Sequence, residues 1–246
     1  TLIALPLFIL MGQLMNESQI TSKLIDYCLI FVGKIRGGLG LVNVISSMLF
    51  GGISGSSVSD TASIGSILIP EMKKRGYPED YAAGLTVASS TMGMIIPPSI
   101  PMVLYAVTAQ ESVGRLFLGG VFPGIMVGVF QLLITIWISN KYSYPREERD
   151  VSLKVILQMT LRYAYILFMP FFVVGAVIFG IATATESAAL GVFYALVIGT
   201  FLIKSLSYQR IFKALKSSVL TSAKIMIIIA LSLIHISEPT RRYAIS

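Results

Sequence analysis

Hydrophobic and polar positions fall in long blocks along this chain. Residues 1–15 are an apolar run that reads as the end of a membrane span. From Ser18 to Arg36, apolar Ile20, Leu24, Ile25, Cys28, Phe31, Val32 and Ile35 recur near a helical period among Lys23, Asp26, Lys34 and Arg36. That pattern predicts an amphipathic helix lying in the membrane interface. Leu39–Phe50 and Ile64–Pro70 are apolar arms around a Gly- and Ser-rich centre, residues 51–63, that carries one carboxylate, Asp60. Each arm is read as roughly 10 to 16 residues, below the roughly 20 needed to cross a bilayer. Two short helices meeting at a polar tip predict a re-entrant hairpin, tolerated at membrane depth where protein buries it.

Tyr81–Val107 is long enough to span but is interrupted at residues 89–99 by Ser, Thr, Gly and the pair Pro97-Pro98. Two prolines remove two amide donors and disfavour helix at Ile96, which predicts a discontinuous helix. Leu116–Ser139 reads as a continuous span and Asn140–Asp150 as a polar loop. Tyr163–Phe179 and Ser187–Ile203 read as two further spans around Gly180–Glu186. Ser207–Lys216 reads as a basic connection, and Val219–Ala230 as the start of another span.

Composition agrees with a lipid solvent: 55% of residues are hydrophobic, 13% are charged, and the mean hydropathy is +0.82. A net charge of +7 would suggest nucleic acid in a soluble chain. Here the basic residues sort by side. Hairpin and broken helix together place Lys34, Arg36, Lys73–Arg75, Lys141, Arg146, Arg149, Lys154, Lys204, Arg210, Lys213 and Lys216 on one side, with Arg115 the exception. This is the positive-inside pattern. A single cysteine, Cys28, excludes an internal disulfide. Trp137 near a span end reads as an interface anchor, and Glu186 as an N-terminal helix cap at the outer face.

The two breaks carry the candidate chemistry. An interrupted helix presents carbonyls at one stump and amides at the other, the first suited to a cation and the second to a carboxylate. Hydroxyls line both: Ser54, Ser56, Ser57 and Ser59 at the first, and Ser89, Ser90, Thr91 and Ser99 at the second. An intramembrane carboxylate is a functional candidate by default, so Asp60 is weighed as a cation-site residue and, beside Thr61, as a helix N-cap. Ser54 also sits in a Gly-x-Ser-Gly pattern like that of rhomboid intramembrane proteases. Such a serine needs a histidine base, and the sole histidine, His235, lies in a tail that is set aside below.

GGISGSSVSDTASIGSILIPEMKKRGY followed by TVASSTMGMIIPPSIPMVLYAV resembles the large permease subunit of TRAP (tripartite ATP-independent periplasmic) transporters. ALPLFILMGQLMN and GIATATESAALGVFYALVIG share the likeness, which covers residues 1–230. It implies an all-α integral membrane protein of elevator type, built from inverted repeats that each hold a hairpin and a broken helix. It implies a bacterial or archaeal inner-membrane location, no enzymatic activity, and no cofactor beyond Na⁺ as coupling ion. The implied partners are a small membrane subunit and a periplasmic binding protein, and the implied substrates are C4-dicarboxylates, sialic acids or related carboxylates. By position, the first-repeat half of the ion and substrate site would comprise Ser54, Gly55, Ser56, Ser57, Ser59, Asp60, Ser90, Thr91, Gly93, Pro97, Pro98 and Ser99. The Na⁺ oxygens are expected near Ser56, Ser57, Thr91 and Gly93. A related Na⁺-coupled dicarboxylate or citrate symporter is the alternative.

The organisation expected is therefore a span end and interfacial helix in 1–37, the hairpin and broken helix in 38–110, and further spans leading into a second repeat in 111–230. Residues 231–246 contain LSLIHISEPTR, which matches a frame translation of a transposase-based sequencing adapter, and they are expected to be non-native. The native chain is expected to begin earlier and to continue past Ala230. With one hairpin and one Pro-Pro break, these residues are expected to hold half a site and not to transport alone.

Overall fold

The computed structural model describes residues 3–32, 35–145 and 153–242. Lys34, Arg146 and Arg149 of the predicted charge pattern fall outside them. Every regular element described is helical: α1 (Ala4–Glu17), α2 (Ile20–Phe31), α3 (Gly38–Ser54), α4 (Ser57–Lys74), α5 (Glu79–Ser90), α6 (Ile100–Thr108), α7 (Val113–Lys141), α8 (Leu153–Ile178), α9 (Ala184–Val197) and α10 (Tyr208–Arg242). A 3-10 turn at Thr91–Met94 follows α5, and a π-turn at Ile198–Leu202 extends α9.

Among the described residues, four helices are long and apolar enough to cross a membrane: Val113–Lys141, Leu157–Ile178, Ala184–Leu202 and Tyr208–Leu231. They keep large apolar side chains exposed, among them Phe122, Phe130, Leu133 and Trp137 on α7 and Phe168 and Phe171 on α8. In water such surfaces would be a liability; facing lipid they are the expected exterior. The protein interior lies instead around α1 and α3. Helix α1 packs on α9, α10, α3 and α6, and α3 packs on α2, α4, α5 and α7. Phe8 meets Phe117 edge-on inside this core.

Several expected boundaries shift. The hairpin arms are longer than the apolar runs that marked them, at 17 residues for α3 and 18 for α4. At the helical rise they measure about 26 and 27 Å. Polar turns such as Ser57–Ser63 continue the helix, so arm length alone does not distinguish a re-entrant hairpin from two spans. The expected basic connection at Ser207–Lys216 is helix from Tyr208 onward, because it continues directly into the apolar stretch after it. Helix α8 begins ten residues before Tyr163. The continuous span over Leu116–Ser139 and the break before Ser99 fall where the pattern put them.

The ends of the helices sort the charges. Gly37 N donates to Pro145 O at 3.2 Å, and Tyr77 and Tyr81 lie 4.8 and 5.1 Å from Tyr144 between ring centroids. Arg36, Lys73–Arg75 and Lys141 thus gather at one end of the bundle, while Arg115 stands at the opposite end of the 29-residue α7. Lys141 Nζ lies 5.1 Å from the Trp137 ring centroid, a cation–π pair at that basic end.

Candidate functional site

The tip of the hairpin and the break in the second helix are built against each other. Helix α3 ends at Ser54, and Gly55 turns the chain in the left-handed region at φ 62°. A side chain there would also meet Pro98 O at 2.8 Å and Ile100 N at 3.1 Å. Glycine is required on both grounds. The Gly55 carbonyl accepts a hydrogen bond from Ile100 N at 3.2 Å, which ties the tip to the first residue of α6. One turn back, a Cβ on Gly51 would lie 2.8 Å from Gly93 Cα, and one on Gly52 would lie 3.2 Å from Pro97 O. The two backbones touch along this whole stretch.

Each stump is capped by a serine. Ser56 is extended and its Oγ accepts from Ser59 N at 3.5 Å, opening α4. Ser99 is likewise extended; its Oγ accepts from Met102 N at 3.4 Å and donates to Met94 O at 2.6 Å, bridging the gap between the 3-10 turn and α6. The Pro97–Pro98 peptide is cis, and both prolines are buried. Capping by Ser56 corrects one expectation. Asp60 is not the N-cap of the second arm but sits four residues inside it, where its own N–H donates to Ser56 O at 3.0 Å.

Asp60 is fully buried. Ser54 Oγ donates to its Oδ1, while Oδ2 has no hydrogen-bond partner and points at Gly93, where an added Cβ would collide with it. A buried carboxylate oxygen without a donor is costly. A cation or a proton at Oδ2 would remove that cost.

The remaining predicted residues divide. Ser57 and Ser59 are half-buried on the first turn of α4, and the Ser57 carbonyl accepts from Thr61 Oγ1 at 2.8 Å. Ser90 is buried and donates to Thr86 O at 2.7 Å; Thr91 is exposed and donates to Ala88 O at 2.7 Å. Both hydroxyls spend their proton on their own helix, which leaves oxygen lone pairs for a cation. Ser54, Gly55, Ser56, Asp60, Gly93, Pro97, Pro98 and Ser99 are brought together at the tip–break contact, with Ser57, Ser59, Ser90 and Thr91 around it.

Sequence reasoning missed the layer beneath. Asn43 Nδ2 donates to Thr86 Oγ1 at 2.7 Å, Ser89 Oγ donates to Asn43 Oδ1 at 3.2 Å, and Ser47 and Ser89 share a hydrogen bond of 2.8 Å. All four residues are buried, and they lock α3 to α5 two to three turns from the tip. The available signal was Asn43, an amide inside an otherwise apolar arm. Helix α7 backs the break from the other side: a Cβ on Gly120 would lie 2.6 Å from Ile95 O, and one on Gly124 would lie 2.6 Å from Ile96 Cγ1.

The profile described as "Tripartite ATP-independent periplasmic transporter, DctM component" matches residues 1–237. That match runs seven residues into the segment expected to be non-native. The chain is 36% identical to the sialic acid TRAP transporter large permease protein SiaM of Vibrio cholerae, over 93% of this chain and 53% of SiaM. It is 35% identical to the C4-dicarboxylate TRAP transporter large permease protein DctM of Pseudomonas aeruginosa, over 94% of this chain and 54% of that protein. It is also 35% identical to the isethionate TRAP transporter permease protein DctMQ of Oleidesulfovibrio alaskensis, over 95% of this chain and 37% of the relative. Most of the curated relatives it matches are about twice the length of this chain, which spans 53% of SiaM. These relatives are transporter permeases, not enzymes.

Proposed function

The chain belongs to the family of the DctM component of tripartite ATP-independent periplasmic transporters, and from that premise we propose that it forms part of the large membrane subunit of a Na⁺-coupled importer of small organic anions. The relatives named above are transporters of sialic acid, C4-dicarboxylate and isethionate, all anionic at neutral pH. The working assembly would add a small membrane subunit and a periplasmic binding protein that delivers the substrate, in a bacterial inner membrane.

One observation carries the site: the hairpin tip and the helix break are in backbone contact around a buried, half-partnered carboxylate. Helices α5 and α6 have 12 and 9 residues, about 18 and 14 Å, so neither alone covers a hydrocarbon core of about 30 Å. If they cross as one interrupted span, the break lies near mid-membrane, and the tip it touches lies there too. That supports a re-entrant hairpin. Na⁺ would be held by backbone carbonyls and hydroxyl oxygens near Ser56, Ser57, Thr91 and Gly93, with the Asp60 charge close by. The anion's carboxylate would face the amide ends of α4 and α6. A second such half, supplied elsewhere in the full-length protein, would close the site in an elevator-type carrier.

The test is Na⁺-dependent uptake by the full-length protein with its partners, across a Na⁺ titration. Asp60→Asn keeps the shape and removes the charge; Pro97→Ala alters the break. Each should lower apparent Na⁺ affinity or maximal rate by about tenfold or more, a loss of ~1.4 kcal/mol. Unchanged kinetics in both variants would mean the breaks are architectural.

A further inference from the structure

Between Leu116 and Ile134 the apolar span of α7 carries a single side chain with an amide, a hydroxyl or a charge, Gln131. It stands ten residues from Lys141 at the basic end, about 15 Å along the helix axis and so halfway into a hydrocarbon core of about 30 Å. Lipid offers an amide no partner at that depth, and Gln131 turns inward to find one. It follows Gly120, Gly124 and Gly128 on one helix face, at spacings of eleven, seven and three residues. On that face Gly120 and Gly124 admit the backbone and side chains of Ile95 and Ile96, just past the 3-10 turn. Gln131 reaches the other side of the same break. Its Nε2 donates to Ala88 O at 3.0 Å, in the last turn of α5.

Carbonyls in a last helical turn lack the amides of a following turn. Thr91 Oγ1 donates to the same Ala88 oxygen at 2.7 Å. Two side chains therefore converge on one stump carbonyl, one from the break itself and one from α7. Helix α7 holds the chain on both sides of the break, by a hydrogen bond before it and by close contact after it. The hydrogen bond is kept at a cost, because Gln131 Oε1 is buried without a hydrogen-bond partner. Turning the amide over would set two acceptor oxygens against each other at Ala88 O. A leucine would leave no buried acceptor unmet, and Ala88 O would still have Thr91. Stability alone thus favours leucine. A glutamine here serves the placement of the stump.

We propose that Gln131 is a positioning residue for the cation site: through Ala88 O it sets where Thr91 and the carbonyl end of α5 lie. It acts from another helix and does not itself touch the ion. The proposal rests on the reading that this break holds Na⁺. The experiment is Na⁺-dependent uptake by the full-length protein with its partners in proteoliposomes. Gln131→Met keeps the length and loses the donor; Gln131→Asn keeps the amide and is one methylene too short to reach. Thr135→Val is the control, since Thr135, one turn on and buried, meets Gly40 of α3 and not the break. Both Gln131 variants should raise the Na⁺ concentration for half-maximal uptake by about threefold to tenfold, the effect of one hydrogen bond. They should also alter the preference for Na⁺ over Li⁺, because a displaced carbonyl changes the ion that the site fits. At saturating Na⁺, half-saturation by the organic anion should stay within about twofold of the parent's. Thr135→Val should move neither the Na⁺ response nor the Na⁺/Li⁺ preference.

Melting of each variant in lipid nanodiscs separates position from fold. Three results would overturn the proposal: a folded Gln131 variant that keeps the parent's Na⁺ response and ion preference, with uptake lost only in proportion to folded protein; a Thr135→Val response shifted as far as theirs; or the failure of both Gln131 variants to fold, which would make Gln131 a support of the fold. Parent uptake that ignores Na⁺ defeats the transport reading and this proposal with it. Parent uptake that follows Na⁺ and weakens in Asp60→Asn, beside unaltered Gln131 variants, defeats this proposal alone.

Discussion

Asp60 and Ser57 stand on the same turn of α4 and are predicted to respond very differently to substitution. Ser57 contributes its carbonyl, which accepts from Thr61 Oγ1; Ser57→Ala keeps that group, so uptake should change by less than about twofold, within ~0.4 kcal/mol. Asp60 contributes the one carboxylate at the tip, and its Oδ2 is without a partner. Asp60→Asn should shift Na⁺ affinity, while Asp60→Leu, which also removes the carboxylate acceptor of Ser54 Oγ and leaves it only Ser56, should lower stability as well. Beneath them, Asn43→Leu would remove the hydrogen bonds that join Asn43 to Thr86 and Ser89, leaving Thr86 Oγ1 bonded to Ala82 O and Ser89 Oγ to Ser47. Each hydrogen bond lost costs about 0.5–1.5 kcal/mol. The full-length protein carrying Asn43→Leu should therefore melt earlier in lipid nanodiscs, and Asn43→Leu with Thr86→Val should recover part of the loss. A melting point equal to the parent's would show that this network does not hold α3 to α5.

At the scale of elements, Gly55 decides whether hairpin and break stay joined. Gly55→Ala forces a side chain into the left-handed region, about 1–2 kcal/mol, and against Pro98 O. It should impair uptake more than Ser56→Ala, which loses only a cap worth about 1 kcal/mol; comparable uptake in both would sink the idea. The hairpin, the break and α7 were legible in the sequence because each leaves a compositional scar: glycine and serine at the tip, paired prolines at the break, an unbroken apolar run in α7. Arm lengths were not, since Ser57–Ser63 looks like loop by composition. Thr61 Oγ1 bonds Ser57 O one turn back, Ser63 Oγ bonds Asn16 on α1, Asp60 accepts from Ser54 on α3, and the helix proceeds through them. Ser207–Lys216 misled for a related reason: Lys213 pairs with Glu17 and the helix runs on. The cap assignment of Asp60 failed because Ser56, with the same chemistry, stands four residues earlier at the actual corner. Nor could sequence show the pairing of tip with break, or of Asn43 with Thr86 and Ser89. Those depend on how two helical segments more than 40 residues apart cross.

For the whole molecule, the gathering of Arg36, Lys73–Arg75 and Lys141 at one end predicts sidedness. In a Cys28→Ser background of the full-length protein, a cysteine at Lys74 should resist an impermeant periplasmic reagent, and one at Glu111 should react. The reverse would invert the orientation. Residues 231–246 make a separate claim on the native source: a tryptic peptide containing HISEPTR in its proteome would show that segment to be genuine. The backbone contact between Gly51 and Gly93 reaches beyond structure into heredity. Any single-base change in a glycine codon that alters the residue adds at least a Cβ, and the smallest such atom already lies 2.8 Å from backbone at Gly51 and against Asp60 at Gly93. Gly84 and Gly119 have nothing within 4 Å of that atom. In a saturation library of the full-length gene selected for uptake, positions 51 and 93 should return glycine alone, while 84 and 119 drift freely through small residues. The permitted spellings of this chain would then be narrowest where the last turns of α3 touch the 3-10 turn at the helix break.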